Sequence, residues 1–264
     1  MRVVSWNVLW RFGPEWRERQ AGILATLREL QPDVVGLQES WLGDGTAQGE
    51  QLARELGMYW AFAEPSLPPL PDPVPTADQD GIALGVTLLS RWPIGPVRER
   101  RLPARHRFQP VALLATLEHP AGPLATVVTC VEWEPSFADD HRAQTRALAE
   151  LVMDRSLDGP LPVLLLADLN AGPDSLELRP LLDVMTDPWS VVGADPDAAT
   201  LSRRNRLAPE QATMQIDRRI DYVLARPGTP DRPVRVQRAF TVEAPVDGLP
   251  PSDHYPVVVD LDID

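Results

Sequence analysis

The sequence contains no lysine; all 25 of its basic residues are arginine. Arginine is the better bidentate partner for phosphate, but a complete absence of lysine is read here as a mark of genomic base composition. Cysteine is nearly absent as well. Cys130 stands alone, which excludes an internal disulfide. No apolar run approaches the ~20 residues needed to span a bilayer. The opening MRVVSWNVLW has no charged stretch followed by an apolar core and a cleavage site, so a cytoplasmic protein is expected. Positive charge is in deficit: the formal net charge is −13. Such a field repels a nucleic-acid backbone at long range. It disfavours nonspecific binding of nucleic acid and leaves room only for a local basic groove.

The apolar content is ordinary for a globular chain, and 264 residues can enclose a sizeable core. Strands are expected over 2–9, 34–39, 58–63, 81–90, 110–118, 124–133, 161–170, 218–226, 234–242 and 255–263. Helices are expected over 14–30, 46–56, 137–154 and 174–183. Residues 64–80 are proline-rich and read as a surface loop or lid. Helices and strands alternate along the whole chain. One α/β domain over 1–264 is therefore expected, with two sheets packed face to face and helices outside.

Several apolar strands end in residue types that bind metal or phosphate. The first carries Asn7. The second ends in Glu39. LPVLLLADLN ends in Asp168 and Asn170. RRIDYVL carries Asp221, and Asp253 and His254 precede the last strand. Period-two alternation places Asp168 and Asn170 on one strand face. A carboxylate after a buried apolar run is costly unless it is paired, hydrogen-bonded or metal-bound. A shared site explains the repetition better than five separate loop caps. Hard oxygen ligands without a cysteine–histidine cluster favour Mg²⁺, with Mn²⁺ or Ca²⁺ as alternatives. Glu39 is the expected main metal ligand, and Asn7 either adds an amide oxygen or orients it. Asp168 can take a proton from an attacking water. Asn170 can donate to a phosphoryl oxygen. His254, held in tautomer by Asp253, can donate to a nonbridging oxygen.

The segments SWNV, PDVVGLQE, LLLADLN, RRIDYVL and SDHYPV, in that order, resemble the motifs of the endonuclease/exonuclease/phosphatase superfamily. LLSRWPI at 88–94 resembles a further common segment. The resemblance implies a four-layer α/β/β/α sandwich and metal-dependent hydrolysis of phosphoesters. It implies Asn7 and Glu39 as metal ligands, Asp168 and Asn170 as base and phosphate-orienting residue, Asp221 as support, and Asp253 with His254 as the closing pair.

One position departs from the family pattern. Where most members carry a histidine, VVTCVEWEP has Cys130. Three readings stay open. The reaction tolerates the change; or Glu132 or His141 takes over; or the protein binds a phospholigand with little turnover. In LSRRNR, Arg203, Arg204 and Asn205 are candidates for gripping a substrate phosphate. The basic stretch RERRLPARHR at 98–107 is read as a solvated face. The acidic charge favours a small phosphoester or headgroup over DNA or RNA as substrate.

Overall fold

In the computed structural model, residues 1–11, 13–66, 80–209 and 215–263 are described. Most of the proline-rich loop expected over 64–80 lies outside the described residues. The first sheet holds β1 (Arg2–Asn7), β2 (Val34–Gly43), the short β3 (Thr46–Ala47), β4 (Tyr59–Ala63), β5 (Ala83–Ser90), β11 (Arg235–Thr241) and β12 (Val257–Asp262). Its order is β11-β12-β1-β2-β5-β4, with β3 paired to β2. The second holds β6 (Arg98–Arg101), β7 (Val111–His119), β8 (Gly122–Cys130), β9 (Val163–Asp168) and β10 (Asp221–Arg226), in the order β10-β9-β8-β7-β6. Each sheet is mixed: β1 runs parallel to β2 and β8 parallel to β9, and the other main pairings are antiparallel.

Strand alternation builds the layers. Val3, Val34, Leu88, Val128, Leu164, Leu166, Val223 and Val257 form one buried cluster between the sheets. Their neighbours point the other way. Val4, Trp6, Val35, Leu37 and Leu89 meet Ile23 and Leu27 of α1 (Trp16–Leu30) and Leu52 of α2 (Gln48–Leu56). Val127, Leu165 and Leu224 meet Leu148 and Val152 of α3 (Ala138–Val152) and Leu181 of α4 (Arg179–Leu182). The result is the four-layer α/β/β/α sandwich. The sheets approach closely at Gly36, where an added Cβ would lie 2.7 Å from Leu166 Cβ and 3.1 Å from Val128 Cγ1. No described helix is long and apolar enough to cross a membrane.

One expectation is corrected here, and two elements were not anticipated. The helix expected over 174–183 is a 3₁₀ turn (Leu176–Leu178) followed by the single-turn α4. Pro180 at its start lacks an amide donor and cannot continue a longer helix through itself. Residues 98–101, at the start of the basic stretch read as a solvated face, form an exposed edge strand, and charged side chains suit an edge because they discourage further strand pairing. A short α5 (Pro188–Val191), capped by the Asp187 side chain, was not anticipated.

Candidate active site

The site forms where strands of both sheets end together. Cys130 pairs in register with Asp168, and Asp168 with Asp221, so one row crosses β8, β9 and β10. Counting back by twos from these residues reaches Val128, Leu166 and Val223, all in the inter-sheet core. Their side chains therefore face the other sheet. There Asn7 shares the inward parity of Val3. Its Nδ2 donates to Asp168 Oδ2 and to Glu39 Oε1, each at 2.9 Å, and so ties the two sheets together. Asn7 Oδ1 accepts from Leu9 N at 3.0 Å.

Glu39 reaches this space only because β2 is irregular. By alternation it would follow Val35 and Leu37 toward the helices. The register of β2 against β5 shifts between Leu37 and Ser40, and Glu39 adopts φ 57°. A bulge of this kind re-aims a side chain. A left-handed conformation at a non-glycine residue is costly and collects at functional sites. Glu39 Oε2 accepts from Trp10 N at 3.1 Å. Burial and the nearby Asp253 carboxylate push its pKa up to about 7, despite the bonds from Asn7 and Trp10. Burial and Asp221 raise Asp168 well above the usual carboxylate range.

Asn170 is not on the strand, as alternation suggested. β9 stops at Asp168, whose Oδ1 accepts from Asn170 N at 3.0 Å, closing a turn in which Asn170 has φ 48°. An Asx-type turn of this sort tolerates the left-handed region. The two side chains still meet, over Cys130. The Sγ of Cys130 is 3.8 Å from Asp168 Oδ2 and 3.8 Å from Asn170 Nδ2. Asn170 Nδ2 also donates to Val131 O at 3.0 Å. Burial and the surrounding carboxylates push the Cys130 thiol up, so it stays protonated.

The histidine partner expected from sequence is also corrected. His254 Nδ1 lies 2.8 Å from Asp221 Oδ2, across the inter-sheet space, and Asp253 is not its hydrogen-bond partner. Successive residues point apart. Asp253 Oδ1 accepts from Ser252 Oγ instead, at 3.2 Å. Burial alone would disfavour a charged ring, but Asp221, Asp253 and Asp168 outweigh it and hold the His254 pKa well above its ordinary value. Asp221 Oδ1 is buried and has no hydrogen-bond partner among the described residues.

The remaining candidates sit elsewhere. Glu132 lies beyond β8; its Oε1 caps the amides of Trp133 and Glu134, and its Oε2 lies 3.6 Å from Arg107. His141 is buried in α3 against the Leu169 backbone, and burial lowers its pKa to about 4. Arg203 pairs with Asp217 and Arg204 with Glu243, both at the exposed surface. Asn205 is turned inward: its Nδ2 donates to Ser252 O at 2.8 Å and Asp253 O at 3.1 Å. It is occupied in holding the loop that carries His254 and is turned away from solvent.

Sequence reasoning missed three supports. Thr200 Oγ1 accepts from Ile220 N and Asp221 N, fixing the start of β10. Ser252 Oγ donates to Asn7 O at 2.7 Å. Arg19 is buried and donates to the carbonyls of Val8, Leu9, Trp10, Pro14 and Pro251, clamping the loop after β1. Only Arg19 left a signal: a lone charge on the stripe Arg19-Ile23-Thr26-Leu27-Leu30, which is otherwise uncharged.

The donor set fits a divalent cation. Three buried carboxylates, Asp168, Asp221 and Asp253, converge with the half-buried Glu39, and the carboxyl pKa values of Glu39, Asp168 and Asp253 are raised. Ligand atoms of Asp168, Asp221 and His254 lie within 4.8 Å of one another. A hard cation bound among these groups would relieve their mutual repulsion.

A family model described as the Endonuclease/Exonuclease/phosphatase family matches residues 4–254. The chain belongs to this family. Its members are typically hydrolases of phosphoester bonds and generally use divalent metals. Solved structures share the fold. An endonuclease/exonuclease/phosphatase from Beutenbergia cavernae DSM 12333 is 24% identical, with 99% of this chain and 71% of that one covered and a TM-score of 0.72. The human Nocturnin catalytic domain with bound sulfate is 21% identical, with 99% and 94% covered and a TM-score of 0.72. D. rerio TDP2 complexed with a single-strand DNA product is 17% identical, with 99% and 98% covered and a TM-score of 0.78. No curated protein matches the chain significantly.

Proposed function

We propose that the protein is a divalent-metal-dependent phosphoester hydrolase in which water attacks phosphorus, with a small phosphoester or headgroup as substrate. The observation that carries this reading is the convergence of the buried Asp168, Asp221 and Asp253 and the half-buried Glu39 around Asn7 and His254 at the meeting ends of two sheets. Glu39 would hold the metal, preferably Mg²⁺, and Asn7, donating to both Glu39 and Asp168, would orient its ligands. A bound cation supplies charge stabilisation at a phosphoryl oxygen.

The other residues act on the substrate and the water. Asp168 is the general base; its raised proton affinity suits proton abstraction near neutral pH. Asn170 orients a phosphoryl oxygen. One Nδ2 hydrogen is engaged by Val131 O, and the other faces only the weakly accepting Cys130 sulfur. Asp221 fixes Nδ1–H of His254 and keeps the ring charged, leaving Nε2–H to donate to a nonbridging oxygen. Asp253 adds negative charge beside His254 without bonding its ring. Cys130 is a neutral floor, and Glu132, Arg203, Arg204 and Asn205 have no direct role in this reading.

A nuclease reading is the alternative. It is favoured by the likeness to TDP2 with its DNA product and opposed by the net charge of −13. Phosphate release from a panel of small phosphoesters and short nucleic acids, with Mg²⁺, Mn²⁺, Ca²⁺ or EDTA, decides between them. Metal-dependent turnover is expected, with a loss of about 10³-fold or more in Asp168→Asn, which should still bind metal. Ligand binding without any turnover would replace the hydrolase with a phospholigand-binding protein.

A further inference from the structure

A second basic feature lies outside the carboxylate centre. Between β6 and α3 runs a groove of about 400 Å³, lined by Arg100, Arg101, Gln109, Arg146 and Glu150, with Pro103 and alanines of α3 completing its walls. Its volume falls in the range of small-molecule sites. Arg100 and Arg146 are exposed and make no ion pair or side-chain hydrogen bond among the described residues. Arg101 has only a 4.0 Å approach to Glu99. Arg203, Arg204 and Arg206, by contrast, are each matched by a carboxylate. Arg100 and Arg146 thus face one concavity from two elements, opposed inside it by the single carboxylate of Glu150, whereas Arg101, the next residue on the strand, turns to the opposite face beside Glu99.

Convergence matters because the chain as a whole repels anions. A net charge of −13 gives no general attraction for phosphate, so an anion held here would be held by local geometry. Guanidinium groups bind phosphate oxygens in bidentate fashion, and two on one concavity favour a ligand with more than one phosphate. Arg100 comes from an edge strand. The backbone of β6 is anchored on one side by pairing with β7 (Arg98↔Leu114 to Arg101↔Val111), which fixes Arg100, opposite Ala112, on the face toward α3. Arg146 approaches from a helix whose other face is packed against the same sheet through Leu148 and Val152. The frame is therefore rigid and only the side-chain tips need to order.

We propose that this groove is a second anion site, which takes a compact chain of phosphate groups. The groove is distinct from the carboxylate centre: in the sheet register Asp168 lies beside Cys130, Thr129 beside Ala112, and Val111 beside Arg101, which is three strand spacings, or roughly 14 Å. The chain of phosphates could belong to a free polyphosphate or to a nucleotide; the chemistry recognised is the same.

Calorimetric titration of the whole protein with inorganic tripolyphosphate in EDTA tests the site without engaging metal chemistry, so its outcome is separable from that of the turnover assay. Saturable binding is expected, weakening at least tenfold in R100A/R146A and with added salt. Glu150→Gln should tighten binding. Adenosine triphosphate in a parallel titration separates the sources: tighter binding than tripolyphosphate assigns a nucleotide, and equal or weaker binding assigns the phosphate chain alone. All three substitutions are at exposed positions, and unchanged melting temperatures would show that the fold is intact. No binding by the unaltered protein at millimolar tripolyphosphate, or equal binding by R100A/R146A, would overturn the proposal.

Discussion

Replacing Glu39 by Gln should reverse its effect on stability across the neutral range. In the metal-free protein burial pushes the Glu39 carboxyl up to about 7 from its ordinary value near 4.5. The folded state therefore holds this proton more tightly than the unfolded chain. The stability it confers is fully present below the unfolded value and is lost as pH rises through the folded one. The shift corresponds to about 3 kcal/mol lost by pH 8 and less than about 1 kcal/mol at pH 5. Gln removes the ionisation, but its NH₂ must then face one of two donors, Asn7 Nδ2 or Trp10 N. That mismatch costs about 1–2 kcal/mol at any pH. Glu39→Gln is thus expected to be less stable than the unaltered protein at pH 5 and more stable at pH 8, with the curves crossing near pH 6. Urea titrations in EDTA at four or five pH values measure this. Thermal melts should show a displacement of about 2–4 °C per kcal/mol. Added Mg²⁺ should raise the stability of the unaltered protein at pH 8 and barely affect the variant. A stability difference that stays constant from pH 5 to pH 8 would refute the reasoning, because it would mean that Glu39 is not strained by its own charge.

Other consequences follow from packing and hydrogen bonding. Gly36→Ala puts a Cβ 2.7 Å from Leu166 Cβ; a loss of about 1–3 kcal/mol is expected in urea unfolding, and a neutral result would show that the sheets can part there. Asn205→Ala strands the buried carbonyls of Ser252 and Asp253, so it should cost about 2–3 kcal/mol and also slow turnover by displacing His254. Arg203→Ala, at an exposed ion pair, should change stability by less than about 1 kcal/mol. Cys130 is buried and its thiol is held protonated. Alkylation at pH 8 should therefore be negligible in the native protein and complete in denaturant; rapid native labelling would mean that the floor of the site opens to solvent.

Much of the site was legible because its residues interrupt regular patterns. Asn7, Glu39, Asp168, Asp221 and His254 each stand at the end of, or just outside, a run that alternation marks as buried, and a polar group there requires a partner. Arg19 announced itself more faintly, as a charge on an apolar helical stripe. Thr200 left no trace, since its task is to receive two backbone amides from a distant strand start.

The sequence by itself determined the strand–helix rhythm, the two-sheet sandwich and the set of polar residues that terminate its strands, because hydrophobic periodicity and strand-end polarity are local properties of a chain. Partner choice required the tertiary structure. Which carboxylate holds His254, which face Glu39 takes and whether Asn205 looks outward depend on contacts between residues far apart in sequence. Asp221 won His254 because β10 runs beside β9 in the opposite sheet, whereas adjacent Asp253 points away. Glu39 turned inward because a bulge against β5 broke the alternation that would have sent it to the helices. Register and bulges are decided by how two sheets pack, and no local pattern records them.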